Sequence, residues 1–371
     1  MKKIYTIFSI LSVVVGFAQI PAGYYNTATG TGYTLKTQLK KIIDDVNDGI
    51  PSEHLAIDRT YAGLYVTYTT SDIDLYYENN GTMLDMYTEN PTGPDNCEYT
   101  YGVNQDDGTG GTSECQKYNR EHIIPQSVFS AATPMYSDAH FVVPSDKYVN
   151  AQRGDFPFGR TAAPTNTYSN GSRRGPNLNS GYSAGYSGTI FEPINEFKGD
   201  IARMILYFAT RYEDNVASWS YPMFNGTSTQ VFTNTHLEIL KQWHLLDPVS
   251  QREIDRNNAI FARQNNRNPF IDHPEWVEVI WGPTLGTDSF EATANISIYP
   301  NPTSNNLINI SSDVELNEIE LISINGQIVQ KISRPNSIQN VYRLENLPQG
   351  FYFVKLSSAD NQTVTKKILV N

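Results

Sequence analysis

Positive charge and cysteine are the two things this chain has least of. Against 39 acidic residues stand 27 lysines and arginines, a formal net charge of −12. That balance argues against simple electrostatic adhesion to nucleic acid. It still allows an enzyme that meets phosphates through a metal ion and a local basic patch. Cysteine occurs twice, at Cys97 and Cys115. One disulfide or two free thiols are the alternatives, and the polar, glycine-rich loop that holds both would gain from a staple. No run after residue 18 is apolar enough to cross a membrane, and there is no internal repeat. The charged fraction, 18%, is low for a disordered chain, while 39% hydrophobic residues and 24 tyrosines supply a core. A length of 371 residues suits one large domain plus a smaller one.

Residues 1–18 read as a cleaved secretory signal. Lys2 and Lys3 precede an apolar stretch, Ile4–Val15, and Gly16-Phe17-Ala18 places small residues before Gln19. Export makes a Cys97–Cys115 bridge permissible. Leu35, Leu39, Ile42, Ile43 and Val46 recur at helical spacing. Tyr61–Tyr68 and Met83–Tyr87 read as strands around an Asn79-Asn80-Gly81 turn. Asn90–Ser113 and Arg160–Ser187 read as polar loops, the second following Arg153 and carrying Arg160, Arg173 and Arg174. Phe197, Ile201, Met204, Ile205, Phe208 and Tyr212 mark the strongest helix. Helices are also expected over Leu237–Trp243 and Val249–Ala262, the second with a Ser250/Glu253 capping box. A last helix is expected from Asp272 to Trp281, with proline in its first turn. After Pro283 the periodicity changes to short alternating runs with turn signals between them, a small all-β sandwich. Its charge is neutral, six basic residues against six acidic.

The chemistry concentrates in Tyr118–Gly159. Phosphodiester hydrolysis needs a base for the attacking water, a cation for the developing negative charge, and positive groups that hold the phosphates. His122 titrates in the range a base needs. Glu121 is a hard oxygen ligand and Asn150 offers a neutral carbonyl oxygen, a set that suits a strongly hydrated Mg²⁺. Arg153 lies one helical turn past Asn150, so a helix over Ser145–Arg153, with Ser145 near its cap, puts both on one face. Strand ends are expected at Glu121–Ile124, broken by Pro125, and at His140–Val143, stopped by Pro144. One difficulty stands: adjacent residues of a regular strand face opposite ways, so Glu121 and His122 reach one centre only at a twisted strand end or from different sides.

Asn119-Arg120-Glu121-His122, Pro125, Asp138-x-His140, Pro144-Ser145-Asp146, Val149-Asn150 and Arg153-Gly154 together resemble the endonuclease I family. Trp243-His244, Asp247-Pro248-Val249 and Asn266-Arg267-Asn268-Pro269-Phe270-Ile271 extend that resemblance over roughly 24–281. The resemblance implies an α+β fold: a ββα-metal nuclease core within a mostly helical domain. It assigns His122 as general base, Glu121 and Asn150 as ligands of one Mg²⁺ (with Mn²⁺ or Ca²⁺ as substitutes), and Arg153 as the phosphate contact. His140, Asn119 and Arg120 are supporting residues. Many members have His-Asn where this chain has His140-Phe141. Tyr299-Pro300-Asn301-Pro302, Asn325-Gly326, Leu347-Pro348-Gln349-Gly350-Phe351-Tyr352 and Lys366-Lys367 resemble a type IX secretion C-terminal sorting domain.

The expected organisation is therefore a signal peptide at 1–18, a nuclease domain at 19–285, a linker at 286–295 and a sorting domain at 296–371. The expected activity is non-specific hydrolysis of DNA and RNA to 5′-phosphate ends by a secreted or surface-held monomer that uses the type IX machinery. The competing readings are a surface binding or adhesion protein on an inactive scaffold and a hydrolase of other phosphodiesters. The bland readings of the remaining residues are a core histidine at His244, a solvated loop at Arg173 and Arg174, a braced loop at Asn266–Pro269, and core packing for the tyrosines of 61–87.

Overall fold

Leu35, Leu39, Ile42 and Ile43 close one face of a helix, α1 (Gly32–Ile43), and all four are buried in a computed structural model of the chain. The structure describes residues 20–51, 54–282, 296–323, 327–358 and 363–371. The expected signal at 1–18, the linker at 286–295 and the Asn325-Gly326 turn lie outside them. The chain divides between Trp281 and Gly282 into two compact units.

In the first unit α1 ends at Ile43, and Val46, expected within the helix, is exposed. Two expected strands are corrected. Tyr61–Tyr68 lies largely in a helix, α2 (Gly63–Ser71), whose buried residues Leu64, Tyr65, Thr67, Tyr68 and Ser71 follow helical spacing. A run of tyrosine, threonine and valine favours a strand locally, but packing against a later helix overrides that preference. Of Met83–Tyr87 only Met83 pairs, in a single bridge to Ile73. Asp85 wraps the rest into a turn by accepting from the Tyr87 amide, the Thr88 hydroxyl and the Asp146 amide.

β1 (Tyr118–His122) and β2 (Val142–Asp146) form an antiparallel pair with Glu121 opposite Val143 and His122 opposite Val142. β2 begins after His140 and runs through Pro144, tolerable because each strand of a two-stranded sheet is an edge. The helix α3 (Lys147–Arg153) follows directly. Its cap is Asp146, which accepts from the Val149 amide at 2.8 Å, and not Ser145.

The expected polar loop at 160–187 contains most of a small antiparallel sheet: β3 (Asn166–Thr167), β4 (Arg173–Pro176) and β5 (Thr189–Glu192). Arg173 and Arg174 are braces in it. Arg173 pairs with Glu192 at 2.8 Å, and Arg174 donates to the Gln152 carbonyl at 2.7 Å and to Asn166.

The helices that follow are α4 (Lys198–Arg211), α5 (Glu213–Val216), α6 (Asn234–Leu246), α7 (Gln251–Gln264), α8 (Pro269–Asp272) and α9 (Trp276–Trp281). Every residue of α4 is buried, and α1, α6 and α8 pack on it. The Ser250/Glu253 capping box is present on α7. The last helix, expected from Asp272 with Pro274 in its first turn, begins only at Trp276; Asp272 instead ends a separate short helix, α8, which has Pro269 at its start.

Several polar groups in this core join one network. Asp138 accepts from Arg211, Tyr207, Tyr212 and Gln264. Asn266, Arg267 and Asn268 brace their loop as expected: Asn266 donates to Ile43 and Tyr207, Arg267 pairs with Asp272, and Asn268 caps α8. Cys97 and Cys115 are disulfide-bonded. No helix among the described residues is long and apolar enough to cross a membrane.

The second unit contains β6 (Ser297–Tyr299), β7 (Ile308–Ser311), β8 (Leu316–Ser323), β9 (Ile328–Ser333), β10 (Val341–Leu344), β11 (Gly350–Ser358) and β12 (Thr363–Val370). They form two sheets, ordered β10-β7-β6 and β12-β11-β8-β9, over a core that includes Ile308, Ile310, Leu321, Val354, Leu356 and Ile368. β10 is four residues long and shows one short alternation.

His140 and His236 are buried, and burial holds each imidazole down at about 4 against the usual 6.5; for His140 the Asp138 charge works in the opposite direction. Between those values the unfolded chain binds protons that the folded one does not. The stability these two histidines contribute is therefore full above about pH 6.5 and is lost as pH drops toward 4. Urea midpoints of the first unit measured across that window should fall with decreasing pH, and the slope should be shallower in His140→Gln. An unchanged slope in that variant would count against a neutral buried His140.

Candidate active site

β1 ends at a cavity of about 210 Å³ whose wall includes Asn119, Arg120, Glu121, His122, Asn150 and Arg153. All the sequence-chosen site residues except His140 therefore line one space. Glu121 and His122 do turn to different neighbours, as adjacent strand residues should, yet both line the cavity at the strand end. Glu121 turns toward Tyr87 and α3, accepting from the Tyr87 hydroxyl at 2.8 Å and pairing with Arg153 at 3.2 Å through the same oxygen, Oε1. His122 turns toward Tyr136, whose carbonyl lies 3.2 Å from Nε2. That carbonyl can only accept, so a neutral imidazole carries its proton on Nε2 and its lone pair on Nδ1.

Asn150 stands on α3, and its amide nitrogen donates to Asn119 Oδ1 at 2.9 Å and to the Arg120 carbonyl at 3.3 Å. The backbone acceptor fixes which end of the amide is nitrogen. The side-chain oxygen of Asn150 and Oε2 of Glu121 are thus left as donors for a cation. Two such oxygens fit an ion that keeps several waters, as Mg²⁺ does.

Arg153 is 1% exposed. Its Nη1 and Nη2 donate to the carbonyls of His122 and Ile123 at 2.9 and 2.6 Å, and its guanidinium lies over Phe158. Its hydrogen bonds therefore hold the strand end. Arg120 is half-buried, stacks 3.4 Å from the Tyr61 ring centre and donates to the Tyr61 carbonyl. His140 lies outside the cavity in the polar core, its Nε2 3.0 Å from the Asn266 carbonyl and its ring against Tyr207. Phe141 packs on Phe129 and Phe208 in the apolar wall behind His122. His244 is partly buried 3.4 Å from Arg203 and is not in the cavity.

The electrostatics follow from burial. Glu121 is pushed up to about 7, chiefly by desolvation, with Arg153 and Tyr87 opposing and Asp155 adding. Desolvation also holds His122 down at about 4, helped by Arg120 and Arg153 and opposed by the Tyr136 carbonyl. His122 is therefore neutral near pH 7, in the state that accepts a proton.

Four contributors escaped the sequence reading: Tyr61, Tyr87, Tyr136 and Asp155. Tyr61 and Tyr136 stack on each other and flank the His122 ring. Asp155 lines the cavity and accepts from Ser127. The tyrosines carry no local signal, because each joins the site through contacts distant in sequence. Asp155 stands two residues past Arg153, inside the stretch already singled out.

A strand-end Glu-His pair backed by Asn and Arg on the next helix has the donor set of a phosphodiester hydrolase, and relatives give the family. Residues 31–275 match the Endonuclease I family, and residues 297–371 match the secretion system C-terminal sorting domain. The chain is 32% identical over 264 residues to an extracellular ribonuclease of Bacillus amyloliquefaciens, covering 70% of this chain and 78% of that protein. The extracellular ribonuclease of Bacillus subtilis (strain 168) is 31% identical with the same coverage. The chain belongs to the endonuclease I family. It is a nuclease, destined by its sorting domain for secretion or the cell surface.

Arg153→Met would leave two carbonyls without their donor and the buried Glu121 carboxylate with only the Tyr87 hydroxyl, a change that costs about 3–5 kcal/mol. Urea unfolding of the first unit should show that loss. A loss below about 1 kcal/mol would mean the strand end is held by other contacts.

Proposed function

We propose that this chain is a secreted Mg²⁺-dependent endonuclease with a ββα-metal core, hydrolysing phosphodiester bonds of RNA and DNA with little sequence preference. The observation that carries the reading is the shared cavity: a neutral imidazole, two cation-ready oxygens and a buried guanidinium meet at the end of one strand. The two Bacillus relatives, both extracellular ribonucleases by name, favour RNA as one substrate. A groove of about 870 Å³ shares Gly154 and Asp155 with the site and is lined by Phe156, Tyr186 and Tyr221. Aromatic faces suit stacked bases of any identity.

His122, with its Nε2–H held by Tyr136, takes a proton at Nδ1 from the attacking water. Water adds to phosphorus in line with the departing 3′-oxygen, which leaves a 5′-phosphate on the product. Glu121 and Asn150 would hold the cation, which would supply positive charge for the negative charge that develops on phosphate and leaving oxygen. Asn119 and Tyr87 position these two ligands. Arg153 was expected to hold a phosphate oxygen. In this geometry it supplies positive charge from the cavity wall while its hydrogen bonds go to the strand end. The acidic balance of the chain makes phosphate affinity dependent on the metal and on low salt. Export runs through an N-terminal signal at 1–18 and then the type IX machinery, with the protein acting as a monomer.

Plasmid DNA and RNA incubated with Mg²⁺ should be degraded, the degradation should stop with EDTA, and fragments should carry ligatable 5′-phosphates. His122→Ala should slow it about 10²- to 10⁴-fold. If the native protein retards both nucleic acids in a gel and leaves them intact, the binding-protein reading is the correct one.

A further inference from the structure

Away from the active site, a second group of carboxylates gathers around one, Glu89, that is buried without the partners a buried carboxylate needs. One oxygen from each of Asp74, Glu78 and Glu89 lies within 4.8 Å of the others. Glu89 is 1% exposed, and neither of its oxygens has a hydrogen-bond donor. Oε2 of Glu78 is buried and equally unpartnered. Asp95 adds a fourth carboxylate beside Glu89, and it can pair with Glu89 only by sharing a proton. Among the described residues no lysine or arginine forms an ion pair with any of the four. Native interiors rarely leave a carboxylate in that condition, and the crowding pushes Glu89 up to about 9, through burial first and then the charges of Asp95, Asp74 and Glu78.

Two occupants relieve such a cluster, a proton or a cation. The local architecture favours the cation. Asp74 is already shaped as a loop ligand, accepting from the amides of Tyr76, Tyr77 and Asn79 while the chain turns around it. The Ile73–Met83 bridge closes the loop below. Asn170 clamps the other side by donating to the carbonyls of Met86 and Glu89. The donors are all hard oxygens. Calcium accepts many oxygens in irregular arrangement, whereas Mg²⁺ sheds its waters reluctantly and is seldom caged by protein alone. Extracellular proteins also meet calcium at concentrations that fill weak sites.

We infer that Asp74, Glu78 and Glu89 form a calcium site that fastens the 73–95 segment. The consequence reaches the active site, because Tyr87 lies in that segment and its hydroxyl holds Glu121. The ion acts there as a positioning element. The inference does not depend on the proposed activity, since the two sites share no residue and its readout is stability.

The full chain, stripped with EDTA and desalted, is melted over a CaCl₂ titration alongside Glu89→Gln, Glu78→Gln and Glu121→Gln. Calcium should raise the melting temperature of the native protein and of Glu121→Gln. Glu89→Gln should lose the rise, and Glu78→Gln, altered at the more accessible ligand, should need roughly tenfold more calcium or beyond. If Glu89→Gln fails to fold, the Glu78→Gln midpoint decides. An equal rise in native protein and Glu78→Gln would place the calcium elsewhere and overturn the site. No rise in the native protein would leave Glu89 and Asp95 sharing a proton, and would overturn it as well.

Discussion

The grip of Arg153 on the end of β1 is the contact on which the site depends. One guanidinium takes the carbonyls of His122 and Ile123 and the carboxylate of Glu121. It thereby ties the strand carrying Glu121 and His122 to the helix carrying Asn150. A lone ammonium has no planar fork to span such a set. The same helix is fixed at its start by Asp146, which caps Val149, accepts from Tyr99 and the Cys115 amide, and donates its own amide to Asp85. Through Cys115 the disulfide loop joins this knot, and through Asp85 so does the turn that carries Tyr87. A small polar centre thus organises segments from residue 85 to residue 158.

That arrangement explains what could be read from sequence and what could not. The Glu-His pair, Asn150 and Arg153 are close in the chain, and strand-then-helix order is enough to bring them to one cavity. Two helices were legible for the same reason: Leu35–Ile43 writes its buried face as a local period, and the large apolar residues of Phe197–Tyr212 recur at helical spacing although that helix is buried all round. Tyr61–Tyr68 misled because its residue types favour a strand while its buried positions follow a helix; only the packing partner decides between them. The sheet that holds Arg173 and Arg174 was hidden by short strands and glycine-rich turns. The capping role fell to Asp146 in place of Ser145, a difference of one residue that only the backbone geometry settles. Tyr87 and Tyr136 could not be found at all, since nothing near them in sequence says which distant side chain they will meet.

The two units divide the tasks physically. The β-sandwich is neutral in formal charge and buries its own apolar core, so it folds around contacts of its own. The acidic balance falls on the first unit, which nevertheless gathers Arg120 and Arg153 at its cavity. Glu121 and Asp155 line the same cavity and offset those two charges.

The central claim is a division of labour: Glu121 and Asn150 hold the cation and His122 moves the proton. Its most direct test is the Mg²⁺ dependence of cleavage of a short oligonucleotide. For Asn150→Ala the midpoint in Mg²⁺ should shift upward. For His122→Ala the midpoint should stay where it is and the plateau should fall. An unshifted midpoint in Asn150→Ala, or a shifted midpoint with a full plateau in His122→Ala, would contradict the assignment.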